Sequence, residues 1–131
     1  MPDSMSIERT KTMEAFGAKV ILTPAAKGFF YAKDLADEKV KTGEYYMLDQ
    51  FSNPDNYLAH YKTTGPEIYR DTEGKITHFV ATVGTGGTTM GVSRYLKEKN
   101  ADIKIIGVQP GPEMKIPGTM RWPTDSYPKI F

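Results

Sequence analysis

Between Thr77 and Val108 the sequence changes character three times. A strand-like run, Thr77-His78-Phe79-Val80-Ala81-Thr82-Val83, enters Gly84-Thr85-Gly86-Gly87-Thr88-Thr89. A helical stretch to Lys99 and a second apolar run, Ile103 to Val108, follow. Strand, short loop, helix and strand at this spacing make a βαβ unit, because two parallel strands need a crossover of about this length. Its hand is expected to be right. The fold class that follows is α/β, with a mostly parallel sheet and helices on its faces.

The loop also carries chemistry. A strand-to-helix junction leaves backbone N–H groups without intrahelical acceptors and turns the positive end of the helix dipole toward them, an arrangement that favours an anion. Glycines let a ligand approach the backbone closely, and the hydroxyls of Thr85 and Thr88 add donors. A tight turn whose glycines only relieve packing is the competing explanation. Three glycines and three threonines from Gly84 to Thr89 tilt the balance toward phosphate. A nucleoside triphosphate is disfavoured because no Gly-Lys-Ser/Thr ending supplies the lysine and the magnesium-binding hydroxyl. The dinucleotide pattern fits poorly as well: its third glycine would fall on Thr89, and the next strand ends in Gln109 where an acidic ribose ligand belongs. A phosphate monoester suits the loop better.

Other elements follow from periodicity and punctuation. Ser6 is placed to cap a helix to Phe16, with Ile7, Met13 and Phe16 inward and Gly17 as its stop. Lys19 to Leu22 and Tyr45 to Leu48 read as short strands, with a helix from Phe29 to Thr42 between them and Gly43 ending it. Asp49 to Asn56 is turn-rich. A helix over Leu58 to Arg70 is interrupted at Thr63-Thr64-Gly65-Pro66, where Thr64 could cap a new start. The tail from Pro110 contains five prolines and reads as extended loop.

Composition narrows the partner. Seventeen basic against sixteen acidic residues leave a net charge of +1, too little to draw nucleic acid or an anionic membrane, so a small molecule is expected. Cysteine is absent, which removes disulfides, thiolate nucleophiles and thiolate metal sites. His60 and His78 alone cannot hold a metal and are expected to be structural. No apolar run approaches the about 20 residues that cross a bilayer, and Met1-Pro2-Asp3-Ser4 lacks both a basic head and an apolar signal core, so a cytoplasmic location is expected. Tyr31, Tyr45, Tyr46, Tyr57, Tyr61 and Tyr69 are irregularly spaced, as half-buried packing residues would be.

Val83-Gly84-Thr85-Gly86-Gly87-Thr88, followed by Gly91-Val92-Ser93-Arg94-Tyr95, resembles the cofactor-phosphate loop of the cysteine synthase (O-acetylserine sulfhydrylase) family, fold-type II pyridoxal-phosphate enzymes. Met1 to Ser6 with Glu8-Arg9 and Gly17-Ala18 resembles the family's substrate-domain helix. Asp49 to Asn56 resembles its glutamine loop, and Thr63-Thr64-Gly65-Pro66-Glu67-Ile68 the segment after it. Gly107-Val108-Gln109-Pro110 and Ile116 to Pro123 look more like B-type than A-type members.

The resemblance implies pyridoxal phosphate as cofactor, held by Gly84, Thr85, Gly86, Gly87 and Thr88. It implies Gln50 on the carboxylate of an amino-acid substrate and Arg121 in selecting an anionic one. It places residues 1–56 in the small substrate domain and 57–131 in the large cofactor domain, and implies a homodimeric full-length enzyme. Without it, Gln50 would read as a solvated or capping side chain, and Arg121 as stacked on the Trp122 indole. The reaction implied is β-replacement of an O-acylated serine by sulfide or thiosulfate. None of the lysines matches the family's cofactor-carrying lysine motif. Lys27, Lys75 and Lys97 read as surface charge, no catalytic residue is assigned, and the chain alone is expected to be inactive. The alternatives are an inactive phosphate-binding or interaction remnant and a fragment of a dinucleotide-dependent oxidoreductase.

Overall fold

The computed structural model describes residues 1–114, 116, 118–122 and 129–130. Packing divides the chain into two units, Met1–Leu48 and Asp49–Phe131.

The first unit holds α1, Ile7–Ala15, a single 3-10 turn at Ala25–Lys27, and α2, Gly28–Lys41. Both helices end where expected, with Gly17 and Gly43 at φ 81° and 80°. Two expectations fail here. Residues 19–22 and 45–48 have no regular secondary structure; among the described residues the pairing in this unit is an isolated parallel bridge between Pro2 and Thr23. A strand exists only when a neighbour accepts its ladder bonds, and the backbone bonds of Thr23 among the described residues go to the short segment Met1 to Asp3, with Asp3 N–H donating to the Thr23 carbonyl at 2.9 Å. Ile7, Met13 and Phe16 are not inward either: they are 57%, 37% and 88% exposed. Tyr45 and Tyr46 are likewise exposed rather than half-buried.

The second unit runs α3 (Asp55–Lys62), α4 (Thr64–Asp71), β1 (His78–Thr82), α5 (Gly87–Lys99) and β2 (Lys104–Val108). Pro66 explains the break at Thr63: it has no N–H to offer the Lys62 carbonyl, and its ring would press on that carbonyl, so α3 stops there. Thr63, not Thr64, occupies the cap position, and its side chain makes no capping bond. The Thr64 hydroxyl is engaged elsewhere, with His60.

β1 and β2 pair in parallel, Val80 opposite Ile106, with α5 as the crossover. Val92, Tyr95 and Leu96 lie on one face of α5 at the spacing of a helical stripe. Val92, Leu96 and Ile103 are fully buried, packed by Ile68, Tyr69, Ile76, Phe79, Tyr95 and Ile105. Two glycines let the helices approach. A Cβ on Gly65 would fall 2.8 Å from Tyr95 Cβ, and one on Gly91 would run into the Tyr57 carbonyl and come within 2.7 Å of His60 Cβ. The Tyr61 hydroxyl donates to Glu98 at 2.7 Å, tying α3 to α5 and holding its phenol above the usual range. The other side of the sheet is bare, with Val80, Ile106 and Val108 at 58%, 43% and 44% exposure.

Candidate phosphate site

β1 delivers the chain to the loop, and the Val83 N–H still donates to the Val108 carbonyl at 2.9 Å. The turn is then made by Gly86 at φ 92°, a left-handed conformation that costs a residue with a side chain about 1–2 kcal/mol. α5 begins at Gly87, and Met90 N–H closes its first bond on the Gly86 carbonyl at 2.9 Å. The N–H groups of Thr85, Gly86, Thr88 and Thr89 find no acceptor among the described residues, and that of Gly87 reaches only Thr85 Oγ1, at 3.5 Å. Unclaimed donors at the start of a thirteen-residue helix are what an anion requires. The Thr89 hydroxyl is buried and has no hydrogen-bond partner among the described residues.

The loop is braced from two sides. From α3, Asn56 Nδ2 donates to Thr85 Oγ1 at 2.9 Å, and His60 Nε2 lies 3.1 Å from Thr88 Oγ1, its Nδ1 meeting Thr64 Oγ1 at 2.9 Å. From the tail, Met120 N–H donates to the Val83 carbonyl at 3.0 Å and the Trp122 indole N–H to the Gly84 carbonyl at 2.7 Å. Trp122 also takes the Gln109 side chain on its backbone N–H at 2.9 Å and packs edge-on against Phe51.

The five residues expected to hold phosphate, Gly84 to Thr88, therefore run from the bend Gly84-Thr85-Gly86 into the first two residues of α5. Gln50 is brought beside it through its backbone: its carbonyl accepts from Asn56 Nδ2 at 2.7 Å while its side chain is exposed. Arg121 is exposed, its guanidinium 3.4 Å from the Pro110 carbonyl, and among the described residues no ring stacks on it. Lys75 pairs with Glu73, Lys97 bonds the Ala101 carbonyl at 2.7 Å, and Lys27 lies over the Tyr31 ring, as surface charges do. Asn56 and His60 were not singled out as site residues. Their spacing of four, one helical turn, was the available signal, since it puts both on one face of α3. Among the described residues no cluster of His, Cys, Asp or Glu could hold a metal, and no helix is long and apolar enough to cross a membrane.

A parallel strand, a glycine turn and a helix with unspent N–H donors define an α/β protein with a candidate anion site at the strand-to-helix junction. The chain belongs to the pyridoxal-phosphate dependent enzyme family, which matches residues 1–127. It is 52% identical over all 131 residues to cysteine synthase B of Escherichia coli (strain K12), of which it covers 43%. It is 50% identical over 110 residues, 82% of this chain, to cysteine synthase A of the same strain, of which it covers 34%. The crystal structure of O-ureido-L-serine synthase superposes with a TM-score of 0.87 at 29% identity, over 100% of this chain and 44% of that one. Cysteine synthase from Entamoeba histolytica gives 0.76 at 46%, over 84% and 33%. The architecture is thus part of a fold-type II pyridoxal-phosphate enzyme, and the chain spans less than half the length of the curated relatives it matches. The family match also removes the ground for a dinucleotide-dependent oxidoreductase. The donor set fits the cofactor's phosphate monoester: several N–H groups and hydroxyls lie along one loop, and none of them bonds a carboxylate among the described residues.

Proposed function

We propose that this chain is the phosphate-anchoring portion of a cysteine synthase that replaces the acyl group of an O-acylated serine with sulfide or thiosulfate. The observation that carries this is the set of unclaimed N–H donors at the start of α5, in a chain 52% identical throughout to a cysteine synthase. Pyridoxal phosphate, when bound, supplies the electron sink for removing the β-substituent. The residues here bind and orient. Gly84, Thr85, Gly86, Gly87 and Thr88 hold the phosphate, Gln50 takes the substrate carboxylate, and Arg121 selects for a negatively charged substrate. Residues 1–56 belong to the small substrate domain and residues 57–131 to the large cofactor domain of a cytoplasmic homodimer.

The exposed apolar side chains support a portion rather than a self-sufficient enzyme. Parallel sheets are normally covered on both faces, yet Val80, Ile106 and Val108 are exposed, as are Phe16 and Tyr46 at 88% and 86%. These are the surfaces through which the chain packs against the remainder of such an enzyme. The 131 residues alone bind the cofactor without turning over substrate.

Titrating the purified chain with pyridoxal phosphate and, separately, with pyridoxal tests the anchor. Several charge-assisted hydrogen bonds at about 1.5–3 kcal/mol each should favour the phosphorylated form by at least tenfold. Equal affinity for the two would remove the reading and leave an interaction remnant in its place.

A further inference from the structure

We infer that Asn56 is a positioning residue that fixes the Thr85 hydroxyl as a donor to the phosphate, a role that rests on the anchoring function proposed above. A chain of donor and acceptor requirements leads there. The Gln50 carbonyl can only accept, so the Asn56 atom 2.7 Å from it must be the amide nitrogen. That nitrogen has no acceptor capacity, so its contact with Thr85 Oγ1 at 2.9 Å makes the threonine oxygen the acceptor. The Gly87 N–H approaches the same oxygen at 3.5 Å. With its oxygen facing two donors, Thr85 keeps its single proton unspent, and no described residue accepts it. It is left for an oxygen that no described residue supplies.

The amide is also held sterically. A Cβ at Gly87 would strike the Asn56 carbonyl end, so that end of the side chain lies directly against the turn. His60 does not define Thr88 in the same way, since either nitrogen of a neutral imidazole can donate or accept. One NH2 group thus holds both the Gln50 backbone and the first hydroxyl of the phosphate turn, linking the expected carboxylate and phosphate ends of the site.

Asn56→Asp tests this with little change of shape. A carboxylate only accepts: it would face the Gln50 carbonyl unfavourably and capture the Thr85 proton. The readout is the ratio of affinities for pyridoxal phosphate and pyridoxal, measured by equilibrium titration of the full chain. The expected result is a fall of about tenfold or more in that ratio with pyridoxal binding retained. In a Thr85→Val background, Asn56→Asp should cost far less, because the hydroxyl it acts through is gone. An unchanged ratio would overturn the role of Asn56 while leaving the anchor intact. An equal loss in both backgrounds would also overturn it, showing action by charge or packing alone. A wild-type chain that does not distinguish the two compounds would overturn the anchor, and the role of Asn56 with it. If Asn56→Asp binds neither compound, Asn56→Ala decides by the same ratio and the same cycle.

Discussion

Replacing Gly91 with alanine should destabilise the Asp49–Phe131 unit, although on an ordinary exposed helix the same change would stabilise it. Alanine gains about 1 kcal/mol over glycine in helix propensity. At Gly91 the added methyl would run into the Tyr57 carbonyl and lie 2.8 Å from the Tyr61 backbone nitrogen, so the obstacle is the main chain of α3, which cannot rotate away. Overpacking of this kind costs about 1–3 kcal/mol, occasionally more, and the upper part of that range outweighs the propensity gain. Because α3 carries Asn56 and His60, pushing it outward also loosens their hold on Thr85 and Thr88. Urea unfolding followed by circular dichroism should show a lower midpoint, and pyridoxal-phosphate affinity should fall with it. Gly111 is the control: among the described residues a Cβ there meets Met114 Sδ at 3.5 Å and Cγ at 3.7 Å, ordinary contacts, and Gly111→Ala should leave the midpoint nearly unchanged. A midpoint that rises for Gly91→Ala would mean that the two helices do not pack this closely.

Leu96→Ala should have the largest effect on stability. Leu96 is fully buried in the cluster with Val92 and Ile103, so its truncation removes transfer energy and leaves a cavity in the core that α4, α5 and the sheet surround. Such changes cost about 2–5 kcal/mol. Whole domains are stable by only about 5–15 kcal/mol, and a unit of this size belongs near the bottom of that range. A large share of Leu96→Ala molecules should therefore be unfolded at 37 °C, detectable as faster proteolysis and loss of the cooperative transition. A loss no greater than that of an exposed residue such as Lys97→Ala would contradict the assignment of this core.

The βαβ unit was legible because its signals are local: an apolar run, a glycine turn and a striped helix each declare themselves within a few residues. Boundaries moved only slightly, with α5 starting at Gly87 rather than Thr89 and β1 spanning His78–Thr82. The runs at 19–22 and 45–48 show the limit of that reading. Their composition is strand-like, but pairing belongs to a neighbour that the run does not encode. Ile7, Met13 and Phe16 fail for a related reason, since periodicity marks a helix face without supplying what covers it. Asn56 and His60 were hidden by distance along the chain, lying 29 and 28 positions from the threonines they hold. At Arg121-Trp122 the choice between stacking and substrate selection left out what the indole does, which is to bond the Gly84 carbonyl.

That last contact has an optical side. The chain has one tryptophan, and its ring nitrogen is hydrogen-bonded to the first residue of the phosphate turn. At 8% exposure the indole is largely shielded from water, so its emission is set by Gly84, Phe51 and the Gln109 contact more than by solvent. A shift of the turn changes the ring's surroundings directly, and a pyridoxal chromophore settling nearby would quench its excited state. The protein carries its own fluorescent gauge at the root of the site, and occupancy can be followed without attaching a label.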